Sequence, residues 1–182
     1  MNVRMITCHI LMFLFFTFLI SCGETNYILK TETPPIRDGF FRFRWTSPMS
    51  LVDNEFPNFT GAKPTKNLNR YNTSCFTDAA FLEESINLCQ FIFDGKGLQS
   101  VKLVINANPV VAENKLDALK KKLTRIYGEP NQLSGRIEQH RAPEYIVCFF
   151  WDQKRLDLML KPDYTIEINA YGHLPGPSIL TW

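Results

Sequence analysis

Two short segments near the C-terminus, "RLDLML" and "YTIEINAY", keep an unbroken two-residue alternation. Leu156, Leu158 and Leu160 recur in the first, and Ile166, Ile168 and Ala170 in the second. Side chains along a strand point alternately to opposite faces, so this pattern predicts strands with one buried and one wet side. "KPDY" separates the two, and Pro162 presets the backbone of a tight reversal. Antiparallel pairing accounts for both patterns. An antiparallel sheet with one buried face is therefore the frame that the rest of the chain must fit.

Two further hairpins extend that frame. "INLCQFIF" and "LQSVKLVI" flank "DGKG", where glycine reaches a positive φ without steric penalty. "YIVCFFW" leads through "DQK" into the first of the alternating strands. Near the start of the domain "GFFRFRW" alternates Phe41, Phe43 and Trp45 with Arg42 and Arg44, which predicts one half-buried strand. "SPMSLVDNEF" predicts a short helix with Ser47 as N-cap and Pro48 in its first position. The segments Pro57–Asn72 and Asn131–Glu144 are expected to be loops, the first ending in a weak strand around Tyr71 to Phe76.

Between the hairpins lies one strong helix, "ENKLDALKKKLTRIYGEP". Leu116, Leu119, Leu123 and Ile126 recur at three and four residue spacing, and Gly128 followed by Pro130 supplies the stop. Its leucine stripe needs an apolar partner, and a sheet with one buried face provides it. The expected fold class is α+β: a two-layer sandwich with a mainly antiparallel sheet, one long amphipathic helix on one face and a short N-terminal helix. Lys120, Lys121, Lys122 and Arg125 lie mostly off the leucine stripe and form a candidate surface contact for anionic lipid heads or an acidic partner. The wet side of an amphipathic helix explains the same charges.

The N-terminal 21 residues carry Arg4, then an apolar run from Met5 to Ile20, then the small residue Ser21. These are marks of a secretory signal peptide, and the run is short for a membrane span of about 20 apolar residues. Leu19-Ile20-Ser21-Cys22 resembles the bacterial lipobox. That resemblance implies cleavage before Cys22 and lipid on its sulfur, with palmitate a representative acyl chain. It also implies a membrane partner reached through the anchor alone. Gly23 stands where an aspartate resembles an inner-membrane retention signal, so the outer membrane, on its periplasmic face, is the expected address. The chain then divides into 1–21 signal peptide, 22–37 lipidated tether, 38–172 folded domain and 173–182 tail.

Cleavage after residue 21 of 182 would leave 161 residues, the size of one domain. Its charge would be close to balanced, since loss of Arg4 takes 20 basic residues to 19 against 18 acidic. Nothing in that balance points to nucleic acid. Three cysteines remain besides Cys22. Cys75 and Cys89 are close enough in sequence for a disulfide in an exported protein, or else act as two small buried hydrophobes. Cys148 sits inside a predicted buried strand.

The order of motifs also resembles a group of small bacterial envelope domains found in lipoproteins and periplasmic proteins. The shared pattern is a strand ending in Trp45, a short Ser-started helix, "FIFDGKGLQSV", a helix closing on "YGEP", and a final "INAY". Departures from it are Gly97 before Leu98 and Thr46 after the tryptophan. More distantly, the layout resembles the small two-layer lipoprotein of the outer-membrane assembly machinery and proteinaceous inhibitors built on similar sheets. No catalytic residues or cofactor come with these resemblances.

Chemistry is sparse in the residues themselves. His140 and His173 are isolated, no metal-binding spacing such as HxxxH or CxxC occurs, and no nucleotide-binding glycine motif is present. Cys148 paired with His140 is disfavoured as a nucleophile by its strand position, and Ser134 lacks the sharp G-x-S-x-G turn. Glu83-Glu84, Asp94 and Asp152 suit surface and turn roles. The expectation is a non-enzymatic, membrane-anchored envelope lipoprotein with no cofactor or metal, binding a protein or an envelope component. The alternative is a carrier of a small apolar ligand in a pocket between helix and sheet.

Overall fold

The computed structural model describes residues 28, 35–65, 72–134 and 145–173. The expected signal segment, Cys22, His140 and the end of the tail lie outside the described residues. The described chain is mixed α and β, with two helices and mainly antiparallel sheets. In chain order its elements are β1 (Gly39–Phe40), β2 (Phe43–Arg44), α1 (Met49–Thr60), β3 (Lys63–Thr65), β4 (Thr73–Thr77), β5 (Ala79–Phe81) and β6 (Glu84–Ile86). There follow β7 (Leu88–Asp94), β8 (Gly97–Ile105), α2 (Pro109–Tyr127), β9 (Asn131–Ser134), β10 (Val147–Trp151), β11 (Leu156–Leu160) and β12 (Ile166–Tyr171).

Eight strands form one sheet in the order β3-β4-β7-β8-β12-β11-β10-β9. The expected hairpins β7–β8, β10–β11 and β11–β12 are all present. Their registers line up Phe76, Cys89, Leu103, Ile168, Leu158 and Phe149 across six neighbouring strands, and all six are buried. Because direction alternates along each strand, one continuous face becomes core. Leu116, Leu119 and Leu123 of α2 belong to the same buried cluster as these sheet residues.

"GFFRFRW" does not make one strand. β1 and β2 fold back on each other, with Phe40 opposite Phe43 and Phe41 turned to φ 54°. A positive φ is costly for a bulky residue. The Phe41 ring packs edge-on at 4.9 Å to Phe40, 5.1 Å to Phe81 and 5.2 Å to Phe56, which offsets the strain. Reversal buries Phe40, Phe41, Phe43 and Trp45 together, where an extended strand would point Phe40 to the opposite side from the other three.

The first helix starts one residue later and runs further than its sequence suggests. Pro48, not Ser47, is the N-cap, and Ser47 is buried with its carbonyl accepting from the Leu98 N–H at 2.9 Å. The helix continues through Pro57 to Thr60, so the expected loop at Pro57–Asn72 instead holds the last helical turn and β3. Pro57 removes the helical donor to the Asp53 carbonyl, while in the same turns Thr60 Oγ1 donates to the Phe56 carbonyl and Asn58 Nδ2 to that of Asn54. Gly61, at φ 71°, closes the helix in the left-handed conformation.

The long helix begins four residues ahead of its predicted start. Pro109 occupies its first turn, and the Asn108 side chain accepts from the Val111 N–H at 3.1 Å. Ile126 is exposed rather than part of the buried stripe. Four residues after Leu123, Tyr127 continues the face instead and packs against the core. Burial pushes its hydroxyl pKa up to about 12. The expected loop after Pro130 starts with β9, which pairs with β10 at the sheet edge.

Two features have no plain signal in the sequence. The hairpin β5–β6 turns through Leu82 and Glu83, both at positive φ without glycine or asparagine. Residues 36 and 37, assigned above to the tether, belong to the packed structure. Ile36 is buried and its carbonyl accepts from Trp45 Nε1 at 2.7 Å, while Arg37 forks onto both oxygens of Asp152 at 2.9 and 3.1 Å.

Candidate functional site

The basic cluster on α2 is divided by the fold. Lys122 donates to the Leu82 carbonyl at 2.6 Å and lies 3.3 Å from Glu83 and 3.6 Å from Glu84. It thereby holds the strained β5–β6 turn and is a structural residue. Lys120 sits over the Phe149 ring at 4.3 Å, a cation–π contact. Lys121 and Arg125 are exposed. Two of the four proposed contact residues are thus engaged within the domain.

The cysteines are not brought into a bond: among the described residues no disulfide joins Cys75, Cys89 or Cys148. Cys75 stands opposite Gln90 and Cys89 opposite Phe76, so adjacent positions place the two thiols on opposite faces of the sheet. The register, invisible to sequence spacing, corrects the disulfide expectation. Burial raises the Cys89 pKa well above its ordinary value, and burial raises that of Cys75 against a hydrogen bond with Thr73. Cys148 is buried within β10, as its strand pattern suggests.

The sheet face opposite the core carries a polar row. Gln90, Lys102, Asn169 and Asp157 stand side by side on β7, β8, β12 and β11, with Cys75 and Phe150 flanking them on β4 and β10. Asn169 Nδ2 donates to one Asp157 oxygen at 2.8 Å, and the Tyr171 hydroxyl donates to the other at 3.4 Å. Burial lifts the Asp157 pKa from an ordinary 3.8 to about 6 despite those hydrogen bonds. The Tyr171 pKa is raised too, first by burial and then by the Asp157 charge. Beside them Lys102 and Glu167 form an ion pair at 2.7 Å. The alternation in "RLDLML" and "IEINAY" places Asp157 and Asn169 off the core face, but only the register pairs them.

A second feature lies where α1 meets the sheet edge. Asp53, Pro64, Thr65, Thr73, Ser74, Cys75 and Phe76 line a cleft of about 360 Å³. Small-molecule sites typically run from roughly 300 to 1,000 Å³. This cleft is not between α2 and the sheet, where Leu119, Leu123, Leu156 and Leu158 are fully buried. Asp53 comes from α1, three residues before Phe56, whose ring meets Phe76 of β4 at 4.7 Å. Asp53 carries no motif that would single it out in the sequence.

Among the described residues no group of three or more His, Cys, Asp or Glu side chains is placed to hold a metal ion, and no helix is long and apolar enough to cross a membrane. Comparison with known proteins finds no matching family model, curated protein or solved structure.

Proposed function

We propose that this chain is a non-enzymatic lipoprotein of the bacterial cell envelope, anchored through lipid on Cys22, whose domain binds another protein or an envelope component. The reading rests chiefly on the polar face of the eight-stranded sheet. A carboxyl at Asp157 held against its charge by burial, a cross-strand Asn169, Tyr171 and the Lys102–Glu167 pair make a patterned surface. Lying on the sheet face away from the core, this row offers a partner charged and hydrogen-bonding groups to meet. In the same reading the fold is a two-layer α+β domain with α2 on the core face. The Lys120–Phe149 contact and the hydrogen bond from Trp151 Nε1 to the Gly128 carbonyl at 2.8 Å support that arrangement.

The anchor is tested by intact mass and by labelled palmitate. The expected result is a chain starting at Cys22 that carries acyl mass, with label lost in Cys22→Ala. A Cys22→Ala protein that fractionates with membranes as before would overturn it. Binding is tested by crosslinking and pull-down from detergent-solubilised envelopes, comparing wild type with Lys102→Ala and Asn169→Ala. A specific companion lost in those variants supports the reading, and recovery of none contradicts it.

A further inference from the structure

Among the charges on the sheet face opposite the core, one is left over. Lys102 shares a row with Asp157, with Asn169 between them, and Arg155 stands two residues before Asp157 in the chain. Both cations are turned to other acceptors. Lys102 Nζ is 2.7 Å from Glu167, and Arg155 donates to the Gly172 carbonyl at 2.6 Å and lies 3.8 Å from Asp152. Asp157 accepts from neutral groups only, Asn169 Nδ2 at 2.8 Å and the Tyr171 hydroxyl at 3.4 Å. The influences that set its pKa are burial, Asn169, Tyr171 and Glu167, and no cation is among them. It is nevertheless half-buried, not enclosed.

We propose that this face docks a protein partner by seating an arginine side chain of that partner on the Asp157 carboxylate. The inference rests on the recognition surface proposed above and names the group it receives. Charge determines the sign of that group. Lys102 and Glu167 cancel, so the row presents one unpaired negative charge at neutral pH, and a partner must bring a cation to match it. An anionic group, such as a phosphate, would meet the same charge with repulsion. Burial determines which cation. A guanidinium is more weakly hydrated than an ammonium and matches a carboxylate with two parallel N–H bonds, so it loses less on entering a half-buried site. An unpaired carboxylate there costs the free protein stability, and the partner's cation recovers that cost on binding.

The full-length protein in dodecyl maltoside is titrated with Nα-acetylargininamide, and carboxyl and amide NMR signals follow binding. Saturable shifts should centre on Asp157, Asn169 and Tyr171 at pH 7.5. Asp157→Asn, which keeps the acceptor for Asn169, should bind at least about fivefold more weakly without melting lower. Free Asp157 takes up its proton below about pH 6, so affinity should fall about tenfold between pH 7.5 and 5. The groups around it are Glu167 and Tyr171 on β12, Lys102 on β8, Cys148 on β10 and Arg155 ahead of β11. Tyr171, its pKa raised, stays neutral throughout, and Glu167 is paired with Lys102. The exposed Asp163, its pKa lowered, stays charged at pH 5, so pairing at such a carboxylate would show no fall. The proposal is overturned if Asp163 responds as strongly as Asp157, if Asp157→Asn binds unchanged, or if Nα-acetyllysinamide binds as tightly. An envelope companion lost in Lys102→Ala but kept in Asp157→Asn would retain the recognition surface and overturn the arginine seat.

Discussion

Asp157 should make the protein less stable at neutral pH than in mild acid. Its pKa rises from an ordinary 3.8 in the unfolded chain to about 6 in the folded one, because burial penalises the charged form. Between those two values the native state binds more protons than the unfolded state, so stability falls as pH rises through this window and levels off above it. Going from 3.8 to about 6 corresponds to roughly 3 kcal/mol at 1.36 kcal/mol per pH unit. Asp157→Asn keeps the acceptor for Asn169 and removes the charge. Urea unfolding from pH 4 to 8 should find the variant equal to wild type near pH 4 and about 2–3 kcal/mol more stable at pH 7.5. That difference is a midpoint displaced by about 1–2 M at ordinary urea slopes. Asp152 and Asp163 have lowered pKa values, through the Arg37 side chain and the Thr165 backbone N–H respectively. Their contributions are lost below pH 4 in both proteins and cancel in the comparison. A variant that is less stable at pH 7.5, or whose pH profile runs parallel to wild type, would refute the reasoning.

Other expectations concern the fold's supports. Lys122→Ala should cost about 1.5–3 kcal/mol in chemical denaturation through loss of its charged hydrogen bond to Leu82, whereas exposed Lys121→Ala should stay within about 0.5 kcal/mol of wild type. A Cβ on Gly97 would stand 2.5 Å from the Thr46 carbonyl oxygen at a φ of +115°, and one on Gly172 would stand 2.8 Å from the Trp45 ring. Gly97→Ala should therefore lower stability by more than about 2 kcal/mol, and Gly172→Ala by about 1–3 kcal/mol, because neither neighbour can withdraw freely. Alkylation of the unfolded protein without reductant should modify Cys75, Cys89 and Cys148 alike, with Cys89 the slowest of the three in the native state. A disulfide-linked peptide joining Cys75 to Cys89 would contradict the register of β4 against β7.

Sequence was legible wherever one face of an element meets the core over several residues. The alternation of Leu156, Leu158 and Leu160 with Ile166, Ile168 and Ala170 determined β11, β12 and their pairing. The spacing of Leu116, Leu119 and Leu123 determined α2, and Asp94-Gly95 marked the β7–β8 turn. These signals are local because side-chain direction repeats every two or every 3.6 residues. Tertiary structure decided what depends on distant partners. Phe41 accepts a positive φ because Phe56 and Phe81 surround its ring, and Leu82-Glu83 turns without glycine because Lys122, forty residues away, holds the Leu82 carbonyl. Register alone decided that Cys75 and Cys89 face apart, that Asp157 meets Asn169, and that Ser74 stands opposite Phe91. A one-residue slip would exchange every one of those faces, and no short stretch of chain carries the free energy that forbids it.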